Sequence, residues 1–203
     1  MTAGRQAIGG PARPERPAPI IMTLQLDAGS AGFFEQQRQA HFPPALNRVA
    51  AHLTLFYNLP GSELAAIVDA AAALATPTRP FPIAVGGLLS LGRGVAYRLQ
   101  SSTLERLRAD LAARFAPWLT AQDREPFRAH VTVQNKVAPA LAAATRAALA
   151  ASLTPFSVTA EGLQLWRYRS GRWAAAGAIG FAGTAGRSEP GHSREGRRAG
   201  DGK

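Results

Sequence analysis

AHLTLFYNLPG, residues 51–61, and RAHVTVQNKV, residues 128–137, share one pattern: His, an apolar residue, Thr, an apolar residue. Side chains alternate across a strand. His52 and Thr54 therefore share one face, with Leu53 and Leu55 on the other. His130 and Thr132 likewise oppose Val131 and Val133. Each stretch reads as a strand with one apolar face to bury and an imidazole plus a hydroxyl on the face that remains. With 12 threonines in the chain, a single His-x-Thr carries little weight. Two among four histidines arise by chance at roughly 2%.

The segments around the two strands repeat as well. Pro19–Leu26 is a β-rich apolar run. Residues 30–42, SAGFFEQQRQAHF, read as a helix that the following Pro43 and Pro44 stop. After the first motif, GSELAAIVDAAAALA (61–75) reads as a helix that Ser62 could cap. FPIAVGGLLSLGRGVAYRL (81–99) reads as two strands around the glycines and Arg93. SSTLERLRADLAARFAPWL (101–119) has helical apolar spacing. The second motif strand is followed by a helix over 138–153. Residues 156–181 then give two or three strands, with Ser170-Gly171 as a hairpin turn. The order β-α-β-α-β-β-α-β-α-β-β has one His strand followed by a helix in each half. The expected class is α+β: two pseudo-symmetric lobes, each an antiparallel sheet backed by helices, around a central cleft. Residues 19–182 form that single domain, and residues 1–18 and 183–203, rich in Gly, Pro, Arg and Ser, are expected to be disordered tails. His192 falls in the second tail and is discounted.

Composition narrows the chemistry. The chain has 203 residues, of which 46% are hydrophobic, enough for one real core. It has no cysteine, which excludes disulfides, thiolate metal sites and a thiol nucleophile. No apolar run is long enough to span a bilayer, and the N-terminal stretch lacks the apolar segment of a secretory signal. The expected compartment is the cytoplasm, with no membrane partner. Each tail carries a net charge of +2, so most of the formal net charge of +10 sits on residues 19–182. A basic body suits an anionic partner such as RNA or a phosphate ester. An Arg- and Ala-rich coding bias gives the same composition.

Two imidazoles and two hydroxyls facing one cleft have a definite chemical use. An ordinary histidine titrates near ~6.5, so one ring can accept a proton while the other donates one. Phosphodiester chemistry needs that pair, and the threonine hydroxyls can donate to non-bridging phosphate oxygens. The expected catalytic residues are His52 and His130, the expected substrate-binding residues Thr54 and Thr132. No metal and no other cofactor is expected.

At these residues the chain resembles the 2H phosphoesterase superfamily, defined by two His-x-Thr/Ser-x motifs. It is more narrowly similar to bacterial 2′-5′ RNA ligase family proteins, relatives of the RNA 2′,3′-cyclic phosphodiesterases. HLTLFYNLPG is similar to the first family motif and its turn, HVTVQNKV to the second. The resemblance covers roughly residues 19–182. It implies a two-lobed α+β fold, and hydrolysis of a 2′,3′-cyclic phosphate to a 2′-phosphate or reversible 2′,5′ joining of RNA ends. It also implies His52 as proton donor, His130 as acceptor, and Thr54 and Thr132 as phosphate holders. The stretch after the first motif is often more basic than the FYNLPG found here. The expected partners are RNA ends or cyclic nucleotides, and the expected state is a monomer.

Other residues compete for roles. His41 and Arg48 could line the cleft, while His41 also suits a helix C-terminus. LWRYRSGRW (165–173) could offer aromatics for base stacking and arginines for phosphates. Alternation gives a second reading, with Trp166 and Tyr168 packed on one face and Arg167 and Arg169 solvated on the other. Arg93 sits either at a cleft edge or in a turn, and Phe56 and Tyr57 either stack on a base or pack. An RNA-binding module that has lost turnover is the alternative in another class. A zinc protein built on His41, His52 and His130 lacks a His-Glu-x-x-His pattern and any cysteine.

Overall fold

The computed structural model describes residues 17–183. Nearly all of the two expected tails, with His192, lies outside the described residues. The element order is β1 (Ile20–Leu26), α1 (Ala28–His41), β2 (Leu53–Leu59), α2 (Leu64–Ala75), β3 (Phe81–Ser90), β4 (Val95–Gln100), α3 (Ser102–Arg114), α4 (Ala121–Arg124), β5 (His130–Gln134), α5 (Pro139–Ser152), β6 (Phe156–Arg169) and β7 (Arg172–Gly180). This is the order expected from the sequence, with the four-residue α4 added.

Caps explain where the helices start. Asp27 caps α1 by accepting from the Ser30 amide at 2.9 Å, so the helix begins two residues before Ser30. The same carboxylate accepts from the Thr159 amide at 2.9 Å, which ties the helix start to β6. These hydrogen bonds, that of the Ser30 hydroxyl foremost, hold Asp27 below the usual carboxylate range. Ser101 caps α3 through the Leu104 amide. Ser62 does not cap α2: Gly61–Glu63 form a 3-10 turn first, and its hydroxyl reaches only the Glu63 side chain. The Ser170-Gly171 turn is present, with both residues at positive φ (47° and 82°), as a primed hairpin turn requires.

All seven strands join one antiparallel sheet of order β2-β1-β6-β3-β4-β5, with β7 pairing on β6. The long β6 links its two halves. Residues 156–160 pair with β3, while residues 160–167 pair with β1 and residues 162–169 with β7. The two lobes foreseen in the sequence are thus halves of a continuous sheet. One face carries the core, where Ile20, Met22, Leu24, Leu53, Leu55, Val131, Val133 and Leu165 pack with Phe34, Phe56 and Phe115 from around them.

The sheet also bends its two end strands together, so β2 and β5 pack against each other although they sit at opposite ends of the strand order. An irregularity in the β1–β2 register places Met22 opposite Phe56 and Thr23 opposite Thr54. Leu55 is the extra residue of this bulge. Leu55 and Phe56 are consequently both buried, and Tyr57 turns out to solvent.

Candidate active site

Both motif histidines are held in one way. Nδ1 of His52 lies 2.7 Å from the carbonyl of Ala50, and Nδ1 of His130 lies 2.6 Å from the carbonyl of Arg128. A carbonyl can only accept, so each Nδ1 carries the hydrogen and each Nε2 is left to take or give a proton. In each motif the acceptor is the residue two places before the histidine.

Their electrostatic settings are tied together. Burial pushes His52 down to about 4. The hydrogen bond to Ala50 works against that, the charges of Arg38 and His130 add to it, and the charge of Glu35 opposes it. His52 is therefore neutral at neutral pH, and it lies close enough to feel His130.

Two buried arginines set the frame. Arg38 of α1 donates from Nε to Asn47 Oδ1 at 2.7 Å and from Nη1 to the carbonyl of Thr132 at 2.8 Å, with its guanidinium over the Phe42 ring. It links the loop that leads into the first motif to the backbone of the second. Arg108 donates to the carbonyls of Leu55 and Asp123 and lies over the Phe56 ring. The Asp123 carboxylate accepts from the Tyr57 amide at 2.7 Å and from the Thr120 hydroxyl. Glu35 accepts from the Ala51 amide at 2.7 Å, next to His52. None of these supports was expected from the sequence. Buried arginines on helices leave only a weak trace, because an exposed arginine looks the same in a linear pattern.

The two motif histidines line different cavities, which share no lining residue, rather than the single cleft expected from the sequence. One of about 850 Å³ contains His52 together with Gln25, Arg48, Gln164, Trp166, Arg172 and Trp173. The other, about 240 Å³, contains His130 with Thr54, Tyr57, Asp123, Glu125 and Arg128. Thr54 of the first motif thus faces the cavity of the second histidine, and its hydroxyl hydrogen-bonds the Tyr57 phenol, which burial raises above its usual range. Thr132 is half-buried and belongs to the His130 face of β5. Arg98 lies opposite His130 across the β4–β5 pair, so it leaves the sheet on the same face.

The remaining candidates divide. Arg48 lines the larger cavity. His41 ends α1, where a basic residue suits the helix dipole. Arg93 sits in the β3–β4 turn, its carbonyl accepting from the Val137 amide. Phe56 is core and Tyr57 is 40% exposed. The aromatic–arginine hairpin departs from the simple alternation: Trp166 and Trp173 both line the larger cavity with Arg172, while Tyr168 is exposed. Trp173 lies against His52, ring centroids 4.4 Å apart, and Trp166 donates from Nε1 to the Thr23 hydroxyl at 2.9 Å. No helix among the described residues is long and apolar enough to cross a membrane.

Comparisons with known proteins agree with this architecture. The family model described as "2'-5' RNA ligase superfamily" matches residues 26–172, which include both motifs. An RNA 2′,3′-cyclic phosphodiesterase of Geobacillus stearothermophilus is 33% identical over 118 residues, covering 53% of this chain and 37% of that protein. The chain therefore spans well under half the length of this relative. Among solved structures, TT0787 of Thermus thermophilus superposes with a TM-score of 0.59 at 18% identity, over 82% of this chain and 100% of that one. E. coli LigT complexed with 3′-AMP superposes with a TM-score of 0.56 at 20% identity, over 81% and 98%. At such identities the likeness is one of fold.

Proposed function

The chain belongs to the 2′-5′ RNA ligase superfamily, and from that premise we propose that it is a metal-independent phosphodiesterase opening 2′,3′-cyclic phosphates, at RNA ends or on nucleotides, to 2′-phosphates. The observation that carries this reading is the matched presentation of His52 and His130, each with Nδ1 fixed on a backbone carbonyl and Nε2 free.

In the proposed reaction His130 takes a proton from water as the water oxygen attacks phosphorus. The bond from phosphorus to O3′ breaks, and His52 supplies the proton that O3′ needs. The hydroxyls of Thr54 and Thr132 donate to the non-bridging oxygens as charge builds on them. An RNA 5′-hydroxyl in place of water gives a 2′,5′ phosphodiester by the same steps, and running them backward exchanges the two histidine roles.

The neutral state of His52 bears on this order of events. As donor, it must gain its proton when the anionic substrate arrives. Raising it from about 4 to neutral pH takes about 4 kcal/mol at 1.36 kcal/mol per unit. An anion about 4 Å away at an effective dielectric of about 20 supplies about 4 kcal/mol. A bound phosphate thus offers a stabilisation of the same order as the cost of charging the donor.

The direct test is incubation in EDTA with 2′,3′-cyclic AMP and with an RNA oligomer ending in a 2′,3′-cyclic phosphate. Turnover to 2′-phosphates that is lost in both His52→Ala and His130→Ala is the expected result. Folded protein that binds RNA but turns over neither substrate would favour the alternative, a binding module on the same fold.

A further inference from the structure

Strand β2 breaks its alternation just after the first motif, and the break decides what stands beside Thr54. We propose that Tyr57 is a positioning residue for this motif: its phenol donates to the Thr54 hydroxyl, which leaves the Thr54 hydrogen turned toward a phosphate in the cavity of His130. The place of that phosphate rests on the proposed reaction, whereas the contact between Tyr57 and Thr54 does not.

In an unbroken strand Tyr57 would share a face with Leu53 and Leu55, away from Thr54. The extra residue Leu55 shifts the count by one. Leu55 and Phe56 turn inward together, and Tyr57 emerges on the side of Thr54. A bulge beside reacting groups re-aims a side chain in this manner. Thr54, Tyr57 and His130 consequently line one cavity of about 240 Å³. The bulged backbone is also pinned from outside the sheet. The Leu55 carbonyl accepts from Arg108 Nε at 2.8 Å, and the Tyr57 amide donates to Asp123 Oδ1 at 2.7 Å. Both partners are buried, so the segment that carries Tyr57 is held where the bulge puts it.

The direction of the contact follows from the chemistry of the two groups. A phenol and a threonine hydroxyl can each donate or accept. The phenol is the more acidic and therefore the stronger donor. Its surroundings keep it protonated: burial, then the charge of Asp123, raise it above its usual range, and the bond to Thr54 only partly opposes them. Thr54 has a single hydrogen. With a lone pair engaged by Tyr57, that hydrogen turns away from the phenol, and a hydroxyl that accepts is polarised into a better donor. The second motif differs. Asn135 holds the corresponding place, three residues after Thr132, and its side chain accepts from the Lys136 amide at 2.7 Å. The two motif threonines are thus set up differently, Thr54 through a neighbouring phenol.

Tyr57→Phe tests the proposal because it keeps the ring and removes only the hydroxyl, which separates alignment of Thr54 from stacking. In turnover of 2′,3′-cyclic AMP, kcat should fall about tenfold while KM stays within about twofold, since the aligned hydrogen meets charge that builds in the transition state. In a Thr54→Val background the same substitution should change kcat by less than about twofold, because Tyr57 acts through Thr54. An unchanged kcat in Tyr57→Phe overturns the proposal. Losses that multiply in the double variant also overturn it, and assign Tyr57 to the substrate directly. The hydrogen bond has its own readout, independent of turnover. In protein labelled with ¹³Cζ-tyrosine, the Tyr57 resonance should move in Thr54→Val while those of Tyr97 and Tyr168 stay in place, and an unmoved Tyr57 resonance overturns the contact. A parent protein that turns over no cyclic phosphate but shows this response removes the proposed reaction and leaves the alignment of Thr54 standing.

Discussion

Arg38 donates from Nη1 to the carbonyl of Thr132 at 2.8 Å, across 94 positions of sequence, while its Nε holds Asn47 five residues before His52. One buried side chain thus sets the spacing of the two motifs, and its charge helps to keep His52 neutral. Arg38→Gln should cost about 2 kcal/mol of stability through the acceptors it leaves unmet. A merely structural loss would leave His52 unaltered, so the deciding readout is its NMR titration. Its midpoint should rise above about 4 in the variant.

Substrate binding should be linked to proton uptake. His52 is free of its proton at neutral pH in the ligand-free protein, and an anion beside it restores the charged form. Calorimetry of adenosine 2′-monophosphate binding in buffers of different ionisation enthalpy should therefore show net uptake near pH 6.5, reduced in His52→Gln. Uptake unchanged by that substitution would assign the proton to another group and count against His52 as donor.

The same depression gives stability a direction with pH. Folded His52 sits near 4, below the ordinary value of about 6.5, so the unfolded chain binds the proton more readily. Its contribution is fully present above about 6.5 and is lost as pH falls through about 4, by at most about 3 kcal/mol. Melting temperatures should fall more steeply between pH 6.5 and 4 for the parent than for His52→Gln. Parallel curves would show that His52 is not held neutral by its surroundings.

Asp123 is a support that can be removed without touching either motif. Its buried carboxylate accepts from the Tyr57 amide and the Thr120 hydroxyl. Asp123→Ala leaves the Tyr57 amide unmet where β2 passes α4, and should destabilise by about 1–3 kcal/mol in chemical denaturation. Asp123→Asn keeps an acceptor and should recover part of the loss.

Gly94 tests how closely β4 and β5 must approach. A Cβ there would lie 2.1 Å from the carbonyl oxygen of Gln134, inside backbone that cannot yield. Gly94→Ala should lower the melting temperature sharply and weaken turnover, because β5 carries His130 and Thr132. Gly92, in the adjacent turn at φ +72° with open space around it, should cost only about 1 kcal/mol as alanine, since only the backbone conformation resists.

Much of this molecule was legible in the linear pattern, and for local reasons. Strand alternation put His52 with Thr54 and His130 with Thr132, because residue period and pleat are the same thing. Prolines at 43 and 44 and Ser170-Gly171 punctuated the elements through their own backbone limits. Spacing alone failed at Ser62, where a 3-10 turn intervened, and it did not show the bulge at Leu55 that buries Leu55 and Phe56 together.

The tertiary structure decided the rest, because the rest depends on residues far apart in sequence. No pattern indicates that β6 joins both halves of the sheet, or that its ends bring β2 and β5 together. The buried links of Arg38, Arg108 and Asp123 arise from that approach, as does the desolvation that holds His52 near 4. Trp166, Trp173, Arg48 and Arg172 acquire a shared wall only once the hairpin folds over the loop before β2. The sequence determined which groups could do chemistry, since that resides in residue type and strand period. Only the folded chain determined which of them meet, because proximity and desolvation are properties of packing.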